Sequence, residues 1–214
     1  MLKLHNFFRS STSTRLRVAL NLKGVDYEYV AYSLRQGETR TPEYLAMNPQ
    51  GLVPALERED GTILTQSLAI MEWLDETFPE PQLLPRDAEG RARVRALSYS
   101  IACEIHPLNN LRVLQRLNYQ FSASEDAQRD WFSHWVTVTF DALETELSRS
   151  FATGVFCHGD TPSLADICLY AQVLNNTRFA ITHDRWPEIA RIFAELNALD
   201  AFRRGAPANQ PDAV

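Results

Sequence analysis

Ser10, Ser11 and Thr12 form a run of small hydroxyl residues with Arg9 before it and an apolar helical stretch after it. Leu16, Ala19 and Leu20 share one face of a helix over residues 15–23, and Gly24 stands where a helix-ending glycine belongs. The unpaired N–H groups and positive dipole end at the start of such a helix favour an anion. Hydroxyl donors there would hold a thiol as thiolate, although the same residues also suit a plain N-cap. Gln66 and Ser67 stand between a short strand and another helix, where Ser67 can both cap the helix and bind a carboxylate. Val53 precedes Pro54 at the entry to a strand, and most X–Pro bonds are trans. His106, before Pro107, is a lone histidine of the kind that is usually structural, and Asn109 and Asn110 offer hydrogen-bond donors beside it. Arg9, Arg112 and Arg178 are forks able to grip carboxylates, against the ordinary role of a solvated arginine.

Three cysteines, Cys103, Cys157 and Cys168, make an odd number without a CxxC pair. They fit neither a disulfide framework nor a zinc site, and read as small core residues in a reducing cytoplasm. Trp73, Trp131, Trp135 and Trp186 fall on helical patterns and read as packing.

The elements that carry these residues alternate at first. Strands are expected over residues 2–7, 26–32, 53–57 and 62–65, the last two around an Asp60-Gly61 turn. Helices are expected over 15–23, over 42–47 with Thr41 as cap and Pro42 at its first position, and from Ser67 through Phe78. The order is β-α-β-α-β-β-α. Pro79, Pro81 and Pro85 mark 78–87 as a linker. Everything beyond it has helical spacing, with Pro107 forcing a kink or restart and Ser163 with Asp166 resembling a capping box. The stretch 205–214 reads as a loosely held tail. The 214 residues are 45% hydrophobic and 22% charged, enough for a packed core and against disorder. With 21 basic and 27 acidic residues the chain carries −6, a poor match to a nucleic-acid backbone. No stretch approaches the ~18 apolar residues of a membrane span, and Lys3, His5, Asn6 and Arg9 interrupt any export signal.

Five segments together resemble one family. Arg9-Ser10-Ser11-Thr12-Ser13-Thr14-Arg15-Leu16-Arg17 resembles the Ser-Ser-Cys-x-Trp-Arg-Val-Arg signature of zeta-class glutathione transferases, which include maleylacetoacetate isomerases. Asn48-Pro49-Gln50-Gly51-Leu52-Val53-Pro54 resembles the loop leading to the cis-proline of the thioredoxin-like glutathione domain. Gln66-Ser67 resembles the pair that grips the γ-glutamyl group. Gly159–Asp166 resembles the capping-box segment of the helical domain, and His106–Arg112 a zeta-class segment of that same domain. Thr12 stands where the family has cysteine and Thr14 where it has tryptophan, and Thr12 is closer to bacterial maleylpyruvate isomerases.

The resemblance implies the soluble glutathione transferase fold: a thioredoxin-like α/β domain over 1–80 and an all-α domain over 87–214. It implies glutathione as cofactor, a homodimer, and a dicarboxylate keto-acid as substrate. Ser10, Ser11 and Thr12 would stabilise the thiolate, with Ser10 the first choice. Val53, Gln66, Ser67, His106, Asn109 and Asn110 would hold glutathione. Arg9, Arg112 and Arg178 would hold the substrate's carboxylates in a cleft between domains. The implied activity is cis–trans isomerisation of a maleyl keto-acid, maleylpyruvate or maleylacetoacetate, with glutathione as a borrowed nucleophile. Two other readings are a general transferase acting on small electrophiles or haloacids, and a non-catalytic interaction domain. Three arginines suit a polar pocket better than a broad apolar one, and the retained hydroxyls favour an enzyme.

Overall fold

The first element, β1 (Leu2–Asn6), is followed by α1 (Ser11–Lys23), β2 (Tyr27–Ala31), α2 (Pro42–Met47), β3 (Ala55–Glu57), β4 (Ile63–Thr65) and α3 (Ser67–Thr77) in a computed structural model that describes residues 1–213. The order is the one the sequence predicts. The sheet runs β2-β1-β3-β4, with β1 parallel to β2 and the other two pairs antiparallel. Gly61, with φ 81°, makes the turn between β3 and β4. Leu4, Leu16, Leu20, Leu56, Ile70, Met71 and Leu74 are buried in the core of this part.

Helix α1 begins at Ser11, four residues before the expected start. The hydroxyl run is its first turn, because the Ser10 Oγ accepts the Ser13 N–H at 3.2 Å. The helix ends at Gly24, whose φ of 63° and N–H bonds close it as expected. Thr41 caps α2 through the Tyr44 N–H. One expectation fails at α3: Gln66, not Ser67, is the capping position, and Ser67 is the first helical residue.

The second part is helical: α4 (Ala88–Glu104), α5 (Leu111–Phe121), α6 (Glu125–Arg149), α7 (Leu164–Asn176) and α8 (Pro187–Ala198). Pro107 falls in the break between α4 and α5. The expected helical faces are its core, among them Val94, Leu97, Ile101, Phe132, Val136 and Phe140. Asp166 accepts the Ser163 N–H at 2.8 Å as the reciprocal arm of the capping box, and also the Cys157 N–H at 2.8 Å. Trp186 is buried with its Nε1 on Asp141, and the Trp131 Nε1 donates to the Leu108 carbonyl.

Contacts group Met1–Leu83 with Ala198–Val214 as one unit and Leu84–Asn197 as the other. The final stretch, which includes α9 (Asp200–Gly205), thus joins the first unit by contact, whereas we expected a division at the proline linker alone. Nor are its described residues, up to 213, loosely held; Val214 lies outside them. The Gly205 carbonyl accepts from the Arg17 Nε at 3.0 Å, and Gln210 donates to two backbone carbonyls. The Asp212 carboxylate accepts from the Phe8 N–H at 3.2 Å and from the Tyr29 hydroxyl. The Pro, Ala and Asn composition lacks periodicity, but side-chain hydrogen bonds supply the order that periodicity would have signalled.

Candidate active site

The β1–α1 connection brings four of the expected residues together. The Ser10 Oγ and Thr12 Oγ1 lie 2.8 Å apart, and the Thr12 hydroxyl donates to the Val53 carbonyl at 3.0 Å. Ser11 is buried at the first position of α1. Two hydroxyls at a helix N-terminus, neither fully buried, are therefore tied to the Val53–Pro54 peptide, which is cis. Ser10 has taken the Ser13 N–H as acceptor, so its own hydrogen is the one free to turn toward an incoming anion in place of Thr12.

Upstream of the cis peptide, the Leu52 carbonyl accepts from the Tyr44 hydroxyl at 2.7 Å and the Asn48 Nδ2 at 2.8 Å. Burial pushes the Tyr44 phenol well up, keeping it a hydroxyl donor. Asn48 also accepts the Gln50 N–H through its Oδ1. Gly51 has φ 61°, and a Cβ there would lie 2.6 Å from the Arg40 Nη1 and 2.9 Å from the Thr39 carbonyl. No other residue fits that place without displacing both. The Asn-Pro-Gln-Gly loop is thus a scaffold for the backbone at Val53.

Gln66 adopts φ 69° and ψ 108°, a strained conformation for a residue with a Cβ. Its exposed side chain donates to the Gln50 Oε1 at 2.8 Å. The Ser67 hydroxyl is buried at the start of α3 and faces the Arg15 Nη1 at 3.5 Å. Two carboxamides and a hydroxyl at a helix N-terminus form a donor set suited to an α-carboxylate.

Arg9 lines a cavity of about 540 Å³ with Phe8, Tyr32, Arg35, Glu38 and Asp212, and its guanidinium lies 5.1 Å from the centre of the Phe8 ring. The loop that carries Arg9 is clamped on both sides of Phe8. Asp212 holds the Phe8 N–H, and the Arg17 Nη2 donates to the Phe8 carbonyl at 2.9 Å.

In the second unit, Asn110 caps α5: its Oδ1 accepts the Arg112 N–H at 3.1 Å and its Nδ2 meets the His106 Nε2 at 3.3 Å. Arg112, on the first turn of α5, is exposed. Arg178 lies in the short 3-10 turn Thr177–Phe179 after α7, with its Nη1 on the Asn175 Oδ1 and its guanidinium 5.6 Å from the Phe179 ring centre. Phe132 of α6 joins the two segments. Its carbonyl accepts from the Asn109 Nδ2 at 3.0 Å, and its ring stacks on Phe179 at 3.7 Å. Asn109 is buried: its Nδ2 fastens the turn to α6, and its Oδ1 is buried without a hydrogen-bond partner.

Sequence reading missed four residues that shape this site: Arg15, Arg17, Gln50 and Asp212. Arg15 and Arg17 stand inside the quoted motif, but burial of a charged residue leaves no mark in periodicity. Among the described residues there is no cluster of three or more His, Cys, Asp or Glu side chains placed to hold a metal ion, and no helix long and apolar enough to cross a membrane.

Residues 9–77 match the family model described as the glutathione S-transferase N-terminal domain. The chain is 49% identical over 213 residues to a maleylpyruvate isomerase of a Ralstonia species, covering all of both chains. Among solved structures, a holo maleylpyruvate isomerase described as a bacterial zeta-class glutathione transferase superposes with TM-score 0.96. It is 48% identical over 99% of this chain and 100% of that one. A maleylacetoacetate isomerase from Methylobacterium extorquens AM1, solved with malonate and glutathione bound, gives TM-score 0.96 at 40% identity over 99% of each chain.

Proposed function

This chain belongs to the zeta-class glutathione transferase family of maleylpyruvate and maleylacetoacetate isomerases, and on that footing we propose that it converts a maleyl keto-acid to the fumaryl isomer with glutathione as cofactor. The observation that carries the reading is the hydroxyl pair Ser10–Thr12 at the N-terminus of α1, fastened to the cis Val53–Pro54 peptide. The donor set fits glutathione, a tripeptide with one thiol and two terminal carboxylates. Hydroxyls at one helix N-terminus suit the thiolate, an extended backbone at Val53 suits its peptide groups, and Gln66 with Ser67 at a second helix N-terminus suits the γ-glutamyl carboxylate.

Bound glutathione supplies a thiolate that adds reversibly to the activated double bond, so that the bond can rotate before the thiolate departs. The chain's own residues do the rest. Ser10 donates its hydroxyl hydrogen to the sulfur and Thr12 orients Ser10 while holding the Val53 carbonyl. The N-terminus of α1 adds its dipole to the same point, which favours thiolate over thiol. Arg9 on the first unit, and Arg112 and Arg178 on the second, offer guanidinium forks to the substrate's carboxylates and to the charge that develops on its carbonyl oxygen. His106, held by Asn110, is a further polar contact on the second unit. A homodimer in the cytoplasm belongs to this proposal, and light scattering measures the first part of it.

The test is a kinetic comparison of maleylpyruvate and maleylacetoacetate with and without glutathione. We expect turnover only with glutathione, no net loss of glutathione, and a fumaryl product; the preferred substrate fixes the length of the keto tail. Stoichiometric consumption of glutathione into a stable conjugate would overturn the isomerase reading in favour of a conjugating transferase.

A further inference from the structure

Helix α1 carries two arginines, two residues apart, that are both almost wholly buried: Arg15 at 1% exposure and Arg17 at 0%. Positions two apart do not share a helix face, so each meets a different neighbour. Arg17 is fully provided for. Its Nε donates to the Gly205 carbonyl, its Nη1 to the Asn6 Oδ1 and the Phe7 carbonyl, and its Nη2 to the Phe8 carbonyl and the Thr14 hydroxyl. Arg15 has one long bond, 3.5 Å from its Nη1 to the Ser67 Oγ, and its Nε and Nη2 are buried without a partner. The same helix shows how this fold satisfies a buried guanidinium, and Arg15 is not treated that way. A buried cation with two of its three nitrogens unpaired is costly unless a ligand supplies compensating charge.

We propose that Arg15 is a positioning residue for the glutathione γ-glutamyl carboxylate, acting through Ser67. The proposal rests on glutathione being the ligand of the first unit. A guanidinium has donors and no acceptor. The Ser67 Oγ must therefore receive from Arg15, and its own hydrogen is turned away, available to an anion at the start of α3. The buried positive charge behind the hydroxyl, together with the N-terminal dipole of α3, strengthens that bond where water does not screen it. The carboxylate in turn supplies the negative charge that Arg15 lacks.

Calorimetric titration with two ligands tests this: glutathione, and γ-aminobutyryl-cysteinylglycine, which lacks only the γ-glutamyl amino-acid carboxylate. The wild type should prefer glutathione by roughly 10- to 100-fold, as expected for a charge-assisted bond. In Arg15→Met that preference should shrink to about threefold or less, with the analogue bound as well as by wild type. Arg15→Gln, which keeps a donor for Ser67 but no charge, serves if the methionine variant does not fold, with the same criteria. A variant that keeps the wild-type preference overturns the proposal. So does one that loses both ligands equally, because that marks a purely structural arginine. If the wild type binds neither ligand, the glutathione reading itself fails and the proposal falls with it; a wild type that binds both alike overturns the carboxylate role alone.

Discussion

The hydroxyl segment of the first unit and the arginines of the second are built to opposite specifications. Around Ser10 and Thr12 nearly every polar atom has a near neighbour. Ser10 holds Ser13, Thr12 holds Val53, Leu52 is held by Tyr44 and Asn48, and Phe8 is clamped by Asp212 and Arg17. Arg112 and Arg178 are exposed, on the first turn of α5 and just past α7; the Arg112 N–H is held by the Asn110 Oδ1, and the Arg178 Nη1 donates to the nearby Asn175 Oδ1 at 3.0 Å. Under the proposed function, the difference follows from what each part would recognise. A thiolate is a single atom whose stabilisation depends on donors fixed before it arrives. A flexible dicarboxylate is better met by long side chains that can settle on it, at some cost in side-chain entropy.

If that contrast is right, the rigid part fails more sharply when altered. Ser10→Ala should slow turnover by ~10² or more, the usual cost of losing a donor to developing or held charge. Steady-state kinetics at saturating glutathione would measure it, and a rate within a few-fold of wild type would shift the role to Ser11 or Thr12.

The arginines should cost less and act on a different ligand. Arg112→Met and Arg178→Met should each lower kcat/KM for the keto-acid by roughly 10- to 100-fold, or ~1.4–2.7 kcal/mol, with glutathione affinity little changed. Loss of glutathione binding in either variant would erase the division of labour between the two regions. Near-wild-type kinetics in both would make these arginines ordinary surface residues.

A smaller effect is expected at the tail. Asp212→Ala removes the acceptor for the Phe8 N–H and the Tyr29 hydroxyl, about 1–2 kcal/mol. Thermal unfolding should begin roughly 2–8 °C earlier, and limited proteolysis should trim the end of the chain faster. An unchanged trimming rate would show that Gln210 and the Arg17–Gly205 bond suffice.

The cysteines should have no effect on chemistry. Cys103 is exposed, whereas Cys157 and Cys168 are buried and burial with nearby Asp166 pushes the Cys157 thiol well above its ordinary range. One thiol should label quickly in the native protein and two only on unfolding, while isomerase activity survives the first label. Inactivation in step with Cys103 labelling would contradict a site without a protein thiol.

The order of elements was legible because its signals are local: Gly24 after α1, Pro42 within the first turn of α2, and Asp60-Gly61 between β3 and β4. The sequence sets the hydroxyl run just before α1 rather than within its first turn, since serine and threonine favour caps and turns as readily as a first helical turn. The Gln66 conformation was not legible, because no composition marks a positive φ outside glycine and the asparagine-like exceptions. Motif resemblance alone set Thr12 and Val53 against the same ligand, and nothing in the sequence marks the hydrogen bond that joins them across forty-one residues. Burial of Arg15 and Arg17 came from packing between distant helices, to which hydrophobic periodicity is blind.

The most direct test of the central claim is the ionisation of glutathione on the enzyme. Titrating the thiolate absorbance of the bound cofactor against pH should give a pKa well below that of free glutathione, and Ser10→Ala should move it back up. A bound thiol that titrates like free glutathione in the wild type would contradict the account, whatever the rate of isomerisation.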